Sequence, residues 1–381
     1  MMTKKVKVLL LVAFLFAILI PGTALADDWF EDTAGYYTVT DEAGYYLFMM
    51  AASMNIGDEY ISSDNKLYRI VEVDSHNHRA AARFIEDLED IDLSSVIPVE
   101  AAPKNNRVAL YCTHSDESYV PTDGTESIPG KGGIFDVSKT LTEALNNVGC
   151  EAKMSSDVHE PHDAGAYRRS RQTAVQLMKQ NQPAMLCDIH RDAVPPEEYE
   201  KKIDGKEASR IRIVIGRSNQ NRAANEQFAR AIKQVADKKY PGLIKDIFVG
   251  KGSYNQDLMP RAILFECGTH TIKKDRPEKS MEMLADVIAQ TLGVKEGGTD
   301  KNTDTTKDNK SNGKGKEPKV EQQAAKGNAG DKGAWTGVWI SLGVIVVLGI
   351  IAAFLFTSGG ERTQKFKAFW GELTGIGKKR E

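Results

Sequence analysis

The sequence predicts an α/β fold with a mainly parallel sheet and helices on both faces. Three short apolar runs begin at Val108, Ala184 and Ala262, and helix-length segments separate them. Such runs are typical of strands that are buried on both faces of a parallel sheet. Two of the runs end at a histidine and the third ends at a glutamate. Because ligands bind beyond the carboxyl ends of such strands, these three side chains are expected at one edge of the sheet.

Residues 27–100 predict a small N-terminal α+β region that contains β-strands. Residues 36–40 and 58–61 are rich in tyrosine and β-branched residues, and residues 66–73 alternate apolar and polar side chains. Residues 62–65 read Ser-Ser-Asp-Asn, a composition typical of turns. The two runs on either side of this turn are therefore predicted to form a hairpin.

The main domain, residues 105–295, is predicted to alternate strands with helices. Apolar residues recur there at helical spacing, and a further apolar run has the length of a strand. The predicted helices are 136–147, 167–180, 219–239 and 281–292, and the further strand is 210–216. A repeated β-α-β-α order favours right-handed crossovers and a mainly parallel sheet.

The two ends of the chain predict export and membrane anchoring. Three lysines precede an apolar stretch and an Ala-Leu-Ala site, so residues 1–26 are predicted to be a signal peptide. Residues 335–356 carry no charge and are long enough to cross a bilayer as a helix. Lysines and arginines in the tail, 357–381, predict that the tail is cytoplasmic. An uncleaved N-terminal signal anchor is the alternative, and it gives the middle of the chain the same orientation.

A polar segment, residues 296–333, lies between the main domain and the predicted span. It consists almost wholly of polar residues and glycine, so it is predicted to be a disordered linker. The expected location is the cell membrane, crossed once, with the main domain outside the cytoplasm. The formal net charge of −3 and this topology argue against a nucleic-acid partner.

A zinc site is predicted at the ends of the first two apolar runs. His114 and His190 end these runs, and Glu117 follows His114 by three residues, a spacing that lets both side chains reach one ion. Two nitrogens, one oxygen and an open position describe a catalytic zinc site. Asp188, two residues before His190, is expected either to orient an imidazole or to pair with Arg191.

Glu266 is predicted to be the catalytic acid and base. It follows four apolar residues on an expected central strand, where an unpaired carboxylate is costly unless it has a linked partner or a raised pKa. Arg191 and Arg168 are candidates for binding substrate carboxylates, which arginine pairs with in a bidentate manner. A surface salt bridge is the alternative for either arginine.

The loop histidines are predicted to face solvent, and the cysteines are predicted to be structural. His159 and His162 lie in a proline-containing loop and His270 lies near Glu266, so each is an alternative member of the site. The four cysteines are expected to be buried thiols because they form neither a dense nor a regular pattern. Cys267, beside Glu266, is the candidate if a thiol acts as nucleophile or zinc ligand.

Three strings carry a family resemblance. Tyr111-Cys-Thr-His-Ser-Asp-Glu-Ser-Tyr-Val-Pro121, Cys187-Asp-Ile-His-Arg-Asp192 and the segment 252–268, which contains Glu266, resemble the stage II sporulation protein P family of endospore-forming bacteria. That family is related to the zinc N-acetylmuramoyl-L-alanine amidases, and the similar stretch covers roughly residues 105–293.

The resemblance implies a zinc amidase-like domain with zinc on the two histidines and a catalytic glutamate at Glu266. The implied activity is removal of the peptide stem from the glycan of peptidoglycan during engulfment, together with an endopeptidase cut of peptide cross-links. A glycan-cleaving sporulation protein and a membrane scaffold are the implied partners. The chain departs from the generic amidases at 133–135, which are Gly-Ile-Phe where those enzymes have an acidic ligand. Glu117 is the expected substitute.

Two other functions fit the same residues. A metallocarboxypeptidase that acts on wall peptides also uses a His-x-x-Glu pair and a distant histidine, and it would release free amino acids instead of intact stem peptides. A zinc-free tether that binds the wall would use the cleft only for recognition. A second departure concerns anchoring, since familiar family members have an N-terminal anchoring helix whereas this chain predicts a C-terminal one.

Overall fold

Two hydrogen-bonded sheets, the larger with 11 strands, organise residues 35–96, 105–163 and 165–294, which the computed structural model describes. The strands are β1 Tyr37–Asp41, β2 Tyr46–Met50, β3 Glu59–Ile61, β4 Lys66–Asp74, β5 Arg79–Asp87, β6 Arg107–Tyr111, β7 Glu151–Met154, β8 Met185–Asp192, β9 Glu200–Ile203, β10 Lys206–Ser209, β11 Ile211–Gly216, β12 Ile244–Gly250 and β13 Ala262–Thr269. The helices are α1 Val120–Asp123, α2 Ile134–Asn147, α3 Ala166–Asn181, α4 Arg222–Lys239 and α5 Asp275–Thr291.

The alternation of strands and helices that the sequence predicts in the main domain is confirmed. The order is β6-α2-β7-α3-β8, then β11-α4-β12, then β13-α5. Every residue of β8, β11, β12 and β13 is buried. Burial of both faces is typical of the central strands of a sheet that is covered on both sides.

The strand order is β2-β1-β5-β4-β3-β12-β11-β13-β8-β6-β7. Neighbouring strands are parallel from β7 through β6 and β8 to β13, between β11 and β12, and between β1 and β5. The other pairs are antiparallel, including β11 with β13. The expected mainly parallel sheet is therefore a mixed sheet. The reason lies in the connection 251–261, which contains no crossover helix and so returns β13 in the direction opposite to β12.

The N-terminal strands extend this sheet. β3 pairs with β12 in antiparallel register, with Phe248 opposite Tyr60. The predicted hairpin is present, because β3 and β4 are antiparallel and a turn ending at Asn65 joins them. The domain boundary near residue 100 stays a prediction, since residues 97–104 are outside the described ranges. Strands from both sides of that boundary nevertheless share one sheet.

Alternation along the strands separates an apolar face from a partly polar one. Ile213, Phe265 and Ile189 belong to the core beneath α2, α4 and α5. The opposite face carries α3 over β6 and β8, and the N-terminal strands over β11 and β12. Helices thus cover both faces, as predicted. The next residues along these strands, Glu266 and His190, point to this second face because the side-chain period of a strand is two.

The membrane-related predictions lie outside the described residues. The predicted signal peptide, linker, transmembrane helix and tail fall within 1–34 and 295–381. Among the described helices, none has the length and apolar character that a membrane span requires. The prediction for the cysteines is confirmed, because all four are buried free thiols.

Candidate metal centre

Three predicted ligands meet at the edge of the sheet. One ligand atom from each of His114, Glu117 and His190 lies within 4.8 Å of the others. Glu117 occupies the middle, since its Oε1 is 3.1 Å from His114 Nδ1 and 3.4 Å from His190 Nδ1. The residues are 3, 2 and 1% exposed, respectively. Among the described residues, this is the cluster of histidines and acids whose geometry suits a metal ion.

The loop after β6 places Glu117 against β8. His114 follows the end of β6, and the carboxylate of Glu117 accepts a hydrogen bond from the backbone N–H of Arg191 at 2.9 Å. The loop then turns back tightly at Gly132. A Cβ there would lie 2.5 Å from the backbone oxygen of Glu117. Only glycine permits this approach, so the glycine-rich loop holds the ligand in place.

The electrostatics of the cluster match a cation site. Burial lowers the pKa of His114 to about 4, so its imidazole is neutral at pH 7. Burial by itself would raise the pKa of Glu117, but His190, His114 and Arg191 outweigh it and hold that pKa well below its usual range. Burial would likewise lower the pKa of His190, yet Asp188 and Glu117 raise it well above the ordinary value. A carboxylate and two imidazoles are the donors that zinc prefers.

Asp188 lies behind His190. Its Oδ1 is 3.0 Å from His190 Nε2, and the backbone N–H and the hydroxyl of Thr113 donate to the same carboxylate at 2.8 and 2.6 Å. Of the two expectations for Asp188, the structure shows the contact with an imidazole. Carboxylates in this position fix the orientation and tautomer of a ligating histidine.

Glu266 lies beside the cluster on β13. Its neighbours in register are His190 on β8 and Arg212 on β11. The residue is 3% exposed, and its Oε2 has no hydrogen-bond partner among the described residues. Burial raises the pKa of Glu266 well above its usual range. Burial thus favours the protonated form of this side chain, which suits a group that gives and takes protons.

The two candidate arginines occupy different places. Arg191 lines the cleft beside the cluster, where its Nη2 donates to the backbone oxygen of Glu126 at 3.0 Å. Arg168 is exposed on α3 and lines a separate open groove along that helix, with Gln172, Gln176 and Lys179. The structure thus brings Arg191 to the site and leaves Arg168 outside it.

One of the three histidines considered as alternative members, His162, lies at the site. The ring of His162 stacks on that of His114, with centroids 3.8 Å apart, and its Nδ1 is 3.1 Å from Asp116. His159 bonds Cys112 O and the hydroxyl of Thr173, each at 2.8 Å, and is structural. His270 does not line the cleft. A loop histidine eight residues beyond the end of β7 carries no periodic signal, so the sequence could not distinguish His162 from its neighbours.

The sequence also missed one wall of the cleft. Met50, Ala51 and Ala52, at the end of β2, line it opposite His114, Glu117, His190 and Glu266. The backbone N–H of Ala51 donates to Asp192 Oδ1 at 3.1 Å. Small apolar residues give no chemical signal, and their position depends on how β2 folds over the sheet.

A second buried cluster adjoins the cleft. Arg212, which is completely buried, donates to both oxygens of Asp246 at 2.7 and 3.0 Å and to Asp192 at 3.2 Å. Asp192 also accepts from the hydroxyl of Tyr199 at 2.9 Å. We call these four residues the Arg212 cluster. The apolar run 210–216 carries Arg212, but nothing in the sequence paired it with Asp246.

Comparison with known proteins finds similar solved structures and a family. Two solved structures are similar, each over 50% of this chain and each with a TM-score of 0.32. They are an N-acetylmuramoyl-L-alanine amidase from Clostridium difficile 630, at 16% identity over 96% of that chain, and the catalytic domain of the CD27L endolysin targeting Clostridia difficile, at 12% identity over 98% of it.

A curated relative is stage II sporulation protein P of Bacillus subtilis (strain 168). It is 28% identical over 212 residues, which are 51% of this chain and 53% of the relative, so the match spans about half of the relative's length. The family model for stage II sporulation protein P matches residues 46–289. This range begins at β2, includes β3 to β5 and contains every residue of the metal cluster. The chain belongs to the stage II sporulation protein P family.

Proposed function

We propose that this protein is a zinc-dependent peptidoglycan hydrolase, an N-acetylmuramoyl-L-alanine amidase that acts during sporulation. One observation supports this most strongly: His114, Glu117 and His190 converge on one point, and a buried Glu266 lies beside them with a pKa that burial raises. Such an arrangement suits hydrolysis of an amide, which needs an electrophilic centre and a group that moves a proton. Family membership supports a role at the cell wall in sporulation.

Zinc fits the residues of this site. His114, Glu117 and His190 would hold it, which gives the three protein ligands that catalytic zinc sites use. His114 Nε2 is buried and has no hydrogen-bond partner among the described residues, so the site has donor capacity that the protein itself does not use. When bound, zinc would polarise the amide carbonyl and make a bound water more acidic.

The other residues of the site prepare the proton transfer and orient the ligands. As a carboxylate, Glu266 would accept a proton from the attacking water and return it to the leaving nitrogen, and its raised pKa favours holding that proton in between. Asp188 keeps His190 in one orientation. Arg191, on the cleft wall, is placed to pair with a carboxylate of the stem peptide. Arg168 is less suited, because it lies on the outer face of α3.

The products identify the bond that is cut. Purified full-length protein, with and without chelator, is incubated with isolated peptidoglycan, and the products are analysed by mass spectrometry. Intact stem peptides and unsubstituted muramic acid are expected, with activity lost in chelator and restored by zinc. Free amino acids would indicate a metallocarboxypeptidase, and cleaved peptide cross-links would indicate an endopeptidase. No product and no bound zinc would leave a wall-binding tether.

We further propose that the enzyme is anchored in the cell membrane by residues 335–356, with its catalytic part outside. A coil of about 38 residues spans on the order of 35 Å, so the linker would confine hydrolysis to wall close to the membrane. In protoplasts, external protease should remove the catalytic part and spare a tag after Glu381. Digestion of the tag in intact protoplasts would reverse the proposed orientation.

The same topology suggests partners in the membrane and at the wall. A glycan-cleaving sporulation protein and a membrane scaffold are proposed on the family's account alone. Cross-linking in sporulating cells, followed by recovery of a C-terminally tagged protein, tests both, and recovery of neither would remove them.

A further inference from the structure

The cleft wall formed by residues 50–52, here named the strap, belongs to an edge strand. β2 is the last strand of the sheet and hydrogen-bonds only to β1 in the part of the chain that the structure describes. The strap therefore lies across the cleft without being part of the strands that carry the metal ligands. It can separate from them without breaking any pairing of β8 or β13.

The strap closes the cleft tightly. Ala51 and Ala52 are 4 and 2% exposed, and they face His114, Glu117, His190 and Glu266 across the cleft. Each of these four residues is also almost completely buried. A stem peptide attached to a glycan is much larger than the space that remains. The closed form therefore cannot admit such a substrate.

Few bonds hold the strap and the residue before it to the other wall. The backbone N–H of Ala51 donates to Asp192 at 3.1 Å, and Arg212 donates to the backbone oxygen of Met49 at 2.9 Å. The backbone N–H of Met49 is 3.4 Å from Glu198, a long hydrogen bond. The strap is also packed, because Met50 and Ala52 belong to one buried core cluster and Ala51 belongs to another. Opening therefore breaks these bonds and part of that packing.

The outer end of the contact reaches the surface. The hydroxyl of Tyr46, which is 49% exposed, donates to Glu198, and Lys245 pairs with the same carboxylate at 2.6 Å. Glu198 thus bonds β2 at two points, at the Tyr46 hydroxyl and at the Met49 backbone. A partner or a substrate that engages Tyr46 would weaken the closure from outside.

We propose that the strap is a gate: it closes the catalytic cleft in the form described, and substrate reaches His190 and Glu266 only after the strap parts from Asp192. This rests on the proposed function for its biological meaning, but the movement itself can be measured without any hydrolysis.

A disulfide across the gate tests the movement. The backbone N–H groups of Ala51 and Ala193 donate to the same oxygen of Asp192, at 3.1 and 2.8 Å, so the two residues are neighbours across the closure. The double variant Ala51→Cys/Ala193→Cys, in the full-length protein, is compared in its oxidised and reduced forms. The four native cysteines are buried, which limits competing pairings. The two single variants are the controls for oxidation.

Access to the cleft is measured with diethyl pyrocarbonate on chelator-treated protein, followed by mass spectrometry of each histidine. Oxidation of the double variant should slow modification of His190 by about tenfold or more, because a local opening is removed. His76, which is exposed, should be modified at the same rate in both forms and serves as the internal reference. Equal modification of His190 in the two forms would overturn the gate.

Hydrolysis separates the gate from the proposed function. Oxidised protein should cleave peptidoglycan at least about tenfold more slowly than reduced protein, and reductant should restore the rate. If oxidation protects His190 but neither form cleaves peptidoglycan, the gate stands and the proposed function fails.

A second variant keeps the test decisive should the cysteine pair not fold. Tyr46→Phe removes only the hydroxyl that bonds Glu198, at a half-exposed position far less sensitive to substitution than the cleft. It should speed modification of His190 by several-fold, since it removes a charge-assisted hydrogen bond to the Glu198 carboxylate. A variant with unchanged modification of His190 and an unchanged melting temperature would contradict the role of this contact and with it the gate.

Discussion

Two buried clusters of charged side chains lie on the same face of the sheet, and they differ in how completely their polar atoms are bonded. In the Arg212 cluster, the arginine bonds two carboxylates and a backbone oxygen, and Asp192 accepts from Arg212, Tyr199 and Ala51. In the metal cluster with Glu266, His114 Nε2 and Glu266 Oε2 have no hydrogen-bond partner among the described residues.

This difference separates buried charges that stabilise the fold from buried charges that are available for chemistry. A buried polar atom without a partner costs about 1–3 kcal/mol, so each one calls for an explanation. Arg212 and Glu266 are direct neighbours in register, and both are buried. Burial and charge alone therefore do not identify a functional residue. The state of its hydrogen bonds is a second criterion, and four predictions test this contrast.

The largest expected effect is that of His190→Ala. We expect loss of both zinc and hydrolysis, because two protein ligands hold a catalytic ion poorly. Metal content after dialysis and peptidoglycan cleavage measure the two losses. The variant also leaves Asp188 and Glu117 without this buried partner, so circular dichroism is used first to show that it is folded. Full zinc occupancy in this variant would show that the metal lies elsewhere.

Glu266→Gln should lose activity about a hundredfold or more while it keeps its zinc, the usual scale for removal of a general acid or base. The amide has nearly the same volume and cannot accept a proton from water. Rates under substrate saturation and metal content are the measurements. Loss of zinc along with activity would make Glu266 a ligand and Glu117 the candidate base.

Arg212→Met should act on stability. Removal of one partner from a buried ion pair leaves Asp246 uncompensated, so a loss of about 3–5 kcal/mol in the free energy of unfolding is expected. Chemical denaturation measures it. The double variant Arg212→Met/Asp246→Leu is the matched control and should recover much of the loss. If Arg212→Met retained wild-type stability, the comparison drawn above would be wrong.

The smallest effect concerns pH. The pKa of Glu266 is raised in the folded state, so the folded protein keeps a proton that the unfolded chain loses above about 4.5. The carboxyl then contributes stability below that pH, and the contribution is lost as pH rises, by at most about 1.4 kcal/mol per pH unit. Metal-free Glu266→Gln should therefore gain stability relative to the wild-type protein from pH 5 to 8. A constant difference across that range would place the pKa of Glu266 at its ordinary value.

The local structure of this protein could be predicted from its sequence. Strand runs and helix spacing are short-range patterns, so the order of elements in the main domain and the convergence of His114, Glu117, His190 and Glu266 followed from them. Those four side chains stand at or near strand ends, where the direction of a parallel sheet decides their location. The family strings lie in the same segments and were recognised there.

The contacts between distant segments could not be predicted from the sequence and became visible in the tertiary structure. The joining of β3 to β12, the reversed direction of β13, the stacking of His162 on His114 and the pairing of Arg212 with Asp246 all link residues far apart in the chain. The strap is the clearest case, because alanines carry no chemical signal of their own. The chemical groups of a residue follow from its identity in the sequence, whereas its contacts with distant residues depend on the free energy of the whole packed fold.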